Sequence, residues 1–185
     1  MRKNAPALSL PAVSKLNPSN GFTLIEILVV VIIIGIITAI VVPYYINARK
    51  DARDSRRISD LQSVATALEQ YYAQNKNYPP SIPVTGCDPL WGWCKSTTLP
   101  TSWVPTISPT YMSVLPKDPL NSSTSYYVYT TLNANSVNFK LISIGMEGDK
   151  GKQAAREDGG CRTDQYELFS SGAQSWRYGT LACDQ

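Results

Sequence analysis

Histidine is absent from all 185 residues of the chain. Its absence excludes the Ser-His and Cys-His pairs that activate most nucleophilic enzymes, and it excludes zinc sites that mix cysteine with histidine. No glycine-rich phosphate loop follows a strand-like segment either. We therefore predict that the chain is not an enzyme. We also predict no cofactor, apart from the possible calcium ion considered below.

Acidic residues are absent from residues 1–21, a segment that carries three basic residues (Arg2, Lys3 and Lys15) and three prolines. Subtracting these three from the 17 Lys and Arg of the chain leaves 14, which equals the 14 Asp and Glu. The rest of the chain is thus formally neutral. Its charge gives no reason to expect a nucleic acid or an acidic substrate as partner.

Charge is also missing from residues 27–42, within an apolar run that begins at Phe22. As a helix this run is roughly 30 Å long, about the thickness of the hydrocarbon core of a bilayer. Glu26 lies in its outer turn, where a charged group costs roughly 2.5 to 3.5 kcal/mol. A carboxylate in this position is expected to have a partner.

The small residue Gly21 lies before the apolar run, whereas an ordinary secretory signal has its cleavage site after it. Cleavage between Gly21 and Phe22 would remove a leader of residues 1–21 and create an amine close to Glu26. The G-F-T-L-I-E sequence, the apolar run and Pro43 together resemble the prepilin signal of type IV pilins and of type II secretion pseudopilins. The alternative is an uncleaved signal-anchor helix that carries a glutamate by chance.

No glycine or proline interrupts residues 44–75, where apolar residues recur at spacings of three and four: Ile58, Leu61, Ala65, Leu68 and Tyr72. This spacing predicts one apolar face of a helix. We predict a single helix from Phe22 to about Asn75, kinked at Pro43. Residues 22–43 would form a transmembrane and polymerisation helix, and residues 44–75 would form its amphipathic continuation.

Nine prolines occur from Pro79 to Pro119, both included, which predicts an irregular connector over residues 76–119. Residues 120–185 are strand-like, with candidates at 126–130, 137–141, 165–170 and 176–178. A turn at 133–135 joins the first two, and Asn138 and Lys140 are expected to face outward. Short connections favour an antiparallel sheet of about three or four strands.

Four cysteines in a domain of this size are typical of disulfides formed in an oxidising compartment. Of the three possible pairings we favour Cys87–Cys94 with Cys161–Cys183, and the second pair is similar to the disulfide that bounds the C-terminal loop of many type IV pilins. A zinc site with four thiolates is the alternative, although the cysteine spacing does not fit it. The soluble part is expected to lie outside the cytoplasm.

A glycine-rich acidic segment is the one candidate for a metal site, with Glu147, Asp149 and Asp158 as possible ligands. Carboxylates and flexible glycines suit calcium, and major pseudopilins bind calcium at a comparable place. The spacing fits no EF-hand, and nearby basic residues oppose a cation. A solvated polar loop is the simpler interpretation.

The resemblance implies an α+β pilin fold, a long kinked helix packed on an antiparallel sheet. It also implies cleavage and N-methylation of Phe22 by a prepilin peptidase, and pairing of Glu26 with the Phe22 amine of a neighbouring subunit. The expected partners are other pilin subunits, the inner membrane, and an assembly platform with its ATPase, with the filament finally outside the cytoplasm.

Two kinds of filament remain open on the residues alone. The segment Leu115–Pro119 and the acidic glycine loop favour a pseudopilin of type II secretion. Leu120 and the four cysteines favour a type IV pilin, and we give that interpretation modest preference. A monomeric membrane-anchored binding domain is a third possibility.

Overall fold

The computed structural model describes residues 21–131, 137–174 and 176. Its elements in chain order are α1 (Leu24–Asn75), β1 (Cys94–Lys95), β2 (Tyr126–Thr130), β3 (Lys140–Ile144), α2 (Asp149–Glu157), β4 (Tyr166–Phe169) and a short 3₁₀ helix (Ser171–Ala173). The chain divides into two compact units, Met1–Val42 and Pro43–Gln185. The α+β architecture confirms the predicted fold class.

The first unit contains the N-terminal part of α1, whose residues are all exposed. Its exposed side chains are almost entirely aliphatic. In water, this part of the helix would therefore expose a large apolar surface. By length and composition α1 includes a segment able to cross a membrane. The helix is assigned without a break through Pro43, and the kink at this residue stays a prediction.

In the second unit the apolar face of α1 forms one wall of the core. Leu61, Val64 and Leu68 are fully buried, and they share a cluster with Tyr127 and Leu141 of the sheet. Ile58, Ala65 and Tyr72 are partly buried against the same cluster. The predicted apolar stripe is therefore the face of α1 that packs on the sheet.

The sheet has four antiparallel strands in the order β1-β2-β3-β4. Side chains alternate between its faces: Tyr127 and Leu141 belong to the core under α1, whereas Val128 and Ile142 pack with Trp93 on the other side. The period of two expected for a strand accounts for this division. Strands β2 and β4 confirm the candidates at 126–130 and 165–170.

Two expectations about residues 137–160 were wrong. Strand β3 begins at Lys140, and this side chain is buried instead of facing outward, because its ammonium group pairs with Glu167 at 2.6 Å and donates to the carbonyls of Gln174 and Trp176. The acidic segment is not only a loop, since Asp149–Glu157 forms α2.

The proline-rich connector contains no helix, and β1 is its only strand. Trp103 is fully buried in the core and donates from its indole nitrogen to the carbonyl of Pro116 at 3.1 Å. Trp91, in contrast, is 58% exposed. Trp93 and Trp103 therefore cover the sheet and the helix, and Trp91 does not.

A disulfide joins Cys87 and Cys94, as predicted. Because it consumes two of the four thiols, a four-thiolate zinc site is excluded. The second predicted pair involves Cys183, which lies outside the described residues. The leader up to Asn20, the turn at 133–135 and most of the strand candidate at 176–178 also lie outside them.

Replacing both Cys87 and Cys94 by alanine is expected to lower the free energy of unfolding by about 2 kcal/mol, because the disulfide closes a short loop in the unfolded chain. Urea unfolding followed by tryptophan fluorescence measures the loss. A change below about 0.5 kcal/mol would contradict a stabilising role for this disulfide.

Candidate functional site

The predicted cleavage point lies at the exposed start of the described chain. Gly21 and Phe22 are both exposed, and a side chain added at Gly21 would meet no atom within 4 Å. The backbone N–H of Ile27 donates to the carbonyl of Thr23, the residue just before α1. The peptide bond between Gly21 and Phe22 is thus outside the helix, where a protease could reach it.

Glu26 has a partner within its own chain. The backbone N–H and the hydroxyl of Thr23 each donate to Glu26 Oε2 at 2.7 Å, and the N–H of Glu26 donates back to the Thr23 hydroxyl at 3.3 Å. This reciprocal pattern is a capping box, in which the residue before the helix and the third helical residue satisfy each other's N–H groups. Both bonds to the carboxylate use Oε2, which leaves Oε1 for a group from another molecule.

Sequence reasoning missed Thr23, although its signal is local. A Thr followed three residues later by Glu, directly before an apolar run, is the pattern of a capping box. Thr23 is thus the residue that positions the Glu26 carboxylate.

The second unit contains a buried ionic cluster centred on Arg57. Its guanidinium donates to Asp118 from Nε at 2.6 Å and from Nη2 at 3.2 Å, and from Nη1 to Asp54 at 2.6 Å and to Glu147 at 2.9 Å. At most 1% of the side-chain surface of Arg57, Asp54 or Asp118 is exposed. Arg53 adds a second guanidinium, which donates two hydrogen bonds to the Glu147 carboxylate.

The cluster also anchors the start of α2. Asp54 accepts the N–H groups of Glu147 and Gly148, the latter at 2.6 Å, so a carboxylate faces the positive end of this helix. Gly148 and Gly151 make the approach possible, because a side chain at Gly148 would collide with Asp51 and one at Gly151 with Asp54. The glycines therefore permit helix-to-helix contact here and do not mark a flexible loop.

The pKa values of Glu147 and Arg57 agree with permanent ionisation of both groups. The hydrogen bond from Arg53, opposed by burial and assisted by Arg57, lowers the pKa of Glu147 to about 2. Burial disfavours the charge of Arg57, but its hydrogen bonds to Asp118 and Asp54 raise its pKa above the usual value. The ion pair between Arg57 and Glu147 is thus formed throughout the neutral pH range.

Asp118 has two roles. Its Oδ1 accepts the N–H groups of Leu120 at 2.8 Å and Asn121 at 3.1 Å, and so caps the turn next to Pro119. The pairing with Arg57 was not foreseen. It joins the turn that leads to the sheet to the middle of α1.

The three calcium candidates do not fit a common site. Both oxygens of Glu147 are engaged by Arg53 and Arg57, and Asp149 is exposed at the first position of α2. Both oxygens of Asp158 accept backbone N–H groups, from Gly160 at 2.7 Å and from Glu167 at 2.6 Å. With Arg57 in place, the described residues include no group of three potential ligands arranged to hold a metal ion.

Asp158 belongs to a different polar group, together with the buried pair of Lys140 and Glu167. Burial raises the pKa of Asp158 to about 6, against the effect of its two backbone hydrogen bonds. Glu167 in turn accepts the N–H of Cys161 at 2.7 Å. These contacts hold the segment between α2 and β4, and we assign them a structural role.

Two family models match the chain, one on each side of Pro43. The prokaryotic N-terminal methylation motif matches residues 16–42, and the model of type II secretion system protein G matches residues 44–161, more than half of the chain. The first match includes Gly21, Phe22 and Glu26. The second includes the whole Arg57 cluster.

Relatives with similar sequences agree with these matches. Type II secretion system core protein G of Pseudomonas aeruginosa is 33% identical over 132 residues, which cover 71% of this chain and 87% of the relative. The protein of the same name from Vibrio cholerae is 31% identical over 76% of this chain and 91% of the relative. Type IV major pilin protein PilA of Myxococcus xanthus is 39% identical, over 36% of this chain and 30% of the relative. No solved structure matches significantly.

These findings favour the pseudopilin interpretation over the type IV pilin that the residues alone modestly preferred. The model of protein G covers residues 44–161, most of the second unit, whereas the pilin relative is matched over less than a third of its length. The chain belongs to the type II secretion system protein G family.

Proposed function

We propose that the chain is a structural subunit of a type II secretion pseudopilus, a short helical filament that drives protein secretion, and that it has no enzymatic activity of its own. The observation that carries this proposal is the match of residues 44–161 to protein G, joined to a methylation motif over residues 16–42. The match to protein G distinguishes the chain from other membrane-anchored chains that carry the same N-terminal motif.

Maturation begins with cleavage between Gly21 and Phe22 by a prepilin peptidase, which then methylates the new amine. The exposure of both residues supports this step. Before assembly the apolar part of α1 anchors the subunit in the inner membrane, with the second unit outside the cytoplasm. The Cys87–Cys94 disulfide supports that placement, because disulfides persist in oxidising compartments.

Assembly then moves the apolar helix from lipid into a bundle at the filament axis. Glu26 receives the Phe22 amine of a neighbouring subunit, which sets the axial register. A free α-amine has a pKa of roughly 7.7 to 8.0, so it is largely protonated near neutral pH. Oε1 of Glu26, which takes no part in the capping box, is the atom best placed to receive it. An assembly platform and its ATPase would supply the energy that moves the helix from the membrane into the filament.

Two measurements in the source cell test the proposal together. N-terminal sequencing of the purified chain is expected to begin at Phe22, and deletion of the chain is expected to trap normally secreted proteins inside the envelope. A mature chain that begins elsewhere would contradict filament assembly, and unimpaired secretion with a correct N-terminus would contradict the pseudopilus.

A type IV pilin is the second candidate, favoured by the partial similarity to a major pilin. In that case electron microscopy of sheared surface material at native expression would show long fibres that contain this chain. A pseudopilus confined to the envelope would give none under the same conditions.

A further inference from the structure

Three carboxylates from three separate segments converge on one buried cation in the second unit. Asp54 lies on α1, Asp118 in the turn before the sheet, and Glu147 between β3 and α2. All three lie within 2.6 to 3.2 Å of nitrogen atoms of Arg57. Without a positive charge at this point, the three segments would repel one another.

Proteins often hold such a set of carboxylates with a bound divalent cation, because calcium takes several oxygen ligands. A guanidinium can do the same when it is buried, since it stays charged and has five N–H donors in a fixed plane. We propose that Arg57 is a built-in structural cation, which holds together the segments that a bound calcium ion would otherwise have to join. These three segments therefore need no divalent metal to stay together.

The hydrogen-bond partners leave no place for an additional ion. Both oxygens of each carboxylate already accept hydrogen bonds: those of Asp54 and Asp118 from Arg57 and nearby backbone N–H groups, and those of Glu147 from Arg53 and Arg57. A metal would have to displace a guanidinium, and it would then lie close to the charge of Arg53.

The wild-type chain provides the first test. The thermal midpoint of the full-length protein in detergent is measured by tryptophan fluorescence, in EDTA and in millimolar CaCl₂. The two midpoints are expected to agree within about 1 °C, since a ligand that does not bind gives no stabilisation. A rise of about 5 °C or more with calcium, lost in Glu147→Gln, would overturn the proposal.

The variant Arg57→Ala provides the second test, because it leaves the three carboxylates around a vacated site. Its midpoint is expected to fall in EDTA and to recover by about 5 °C or more in CaCl₂. Arg56→Ala is the matched control: this neighbour on α1 is 65% exposed as a side chain, and calcium should not affect its variant. Equal midpoints of Arg57→Ala in the two buffers would overturn the role of Arg57 as a substitute for a metal.

If Arg57→Ala unfolds in both buffers, titration of the wild-type chain with Tb³⁺ decides the question by sensitised luminescence. No saturable signal is expected. A saturable signal that calcium displaces and that Glu147→Gln removes would overturn the proposal. None of these readouts depends on filament assembly, so their failure would leave the proposed function unaffected.

Discussion

Alanine in place of Glu26 is expected to lower the yield of assembled filament at least about tenfold and to leave the amount of processed chain in the membrane nearly unchanged. Tenfold corresponds to only about 1.4 kcal/mol of association energy, whereas removing one member of a buried ion pair costs roughly 3 to 5 kcal/mol. No other charged residue lies between Phe22 and Val42. The neighbouring amine would therefore be left without a counter-ion along this part of the helix.

Membrane insertion should not suffer, because the variant removes a charge from an apolar segment and so makes insertion easier. The capping box with Thr23 is lost as well, which costs the helix about 1 kcal/mol at an exposed end. Glu26→Gln keeps the size and the hydrogen-bond acceptor but not the charge, and it should assemble as poorly as alanine if the charge is what matters.

Thr38→Ala is the matched control, since it changes an uncharged polar residue within the same apolar run. Immunoblots after chemical crosslinking of intact cells compare the chain in large oligomers with the monomeric chain in the membrane, and N-terminal sequencing verifies cleavage before Phe22. Filaments at the normal level from a correctly processed Glu26→Ala chain would contradict the assigned role of this carboxylate.

The elements that follow a local pattern could be predicted from the sequence. The stripe through Leu61 and Leu68 has the helical period, and the aromatic, β-branched run at 126–130 has the composition of a strand. Thr23 and Glu26 also form a local pattern, three residues apart, and this one was overlooked. The information was present, because the capping box depends only on neighbouring residues.

The ionic cluster could not be predicted in this way. Arg57 is 61 residues from Asp118 and 90 from Glu147 in sequence, so their meeting depends on the packing of the whole second unit. Lys140 shows the same limit. Its position in an alternating strand predicted exposure, but a partner on the adjacent strand, Glu167, allows the ammonium group to be buried.

Local residues were also insufficient to distinguish a pilin from a pseudopilin. Glu26, Pro43 and the apolar helix belong to the pattern that resembles pilins and pseudopilins alike, so they carry no information about which filament is built. Leu120 and the cysteines were weak guides, because a single residue and disulfides common to many domains outside the cytoplasm do not distinguish the two filaments. Similarity over residues 44–161 as a whole was needed to favour secretion.

Alanine in place of Asp118 is expected to lower the free energy of unfolding by roughly 3 to 5 kcal/mol. The side chains of Asp118 and Arg57 are both fully buried and 2.6 Å apart, so the variant leaves a buried guanidinium with its Nε and Nη2 donors unpaired. The N–H groups of Leu120 and Asn121 lose their acceptor in the same step. Asp54 and Glu147 still neutralise part of the charge of Arg57, which keeps the expected loss within this range.

Lys117→Ala is the control for Asp118→Ala, because Lys117 is exposed and lies between the same two prolines. Urea unfolding of the full-length chain in detergent, followed by tryptophan fluorescence, should show a loss below about 0.5 kcal/mol for the control. Asp118→Asn separates charge from shape, because the amide oxygen can still cap the turn. If its free energy of unfolding falls about as much as that of Asp118→Ala, most of the stabilisation comes from the ion pair. A loss below about 1 kcal/mol for Asp118→Ala would mean that Arg57 finds water or another acceptor, and the buried pair would then contribute little to holding α1 on the sheet.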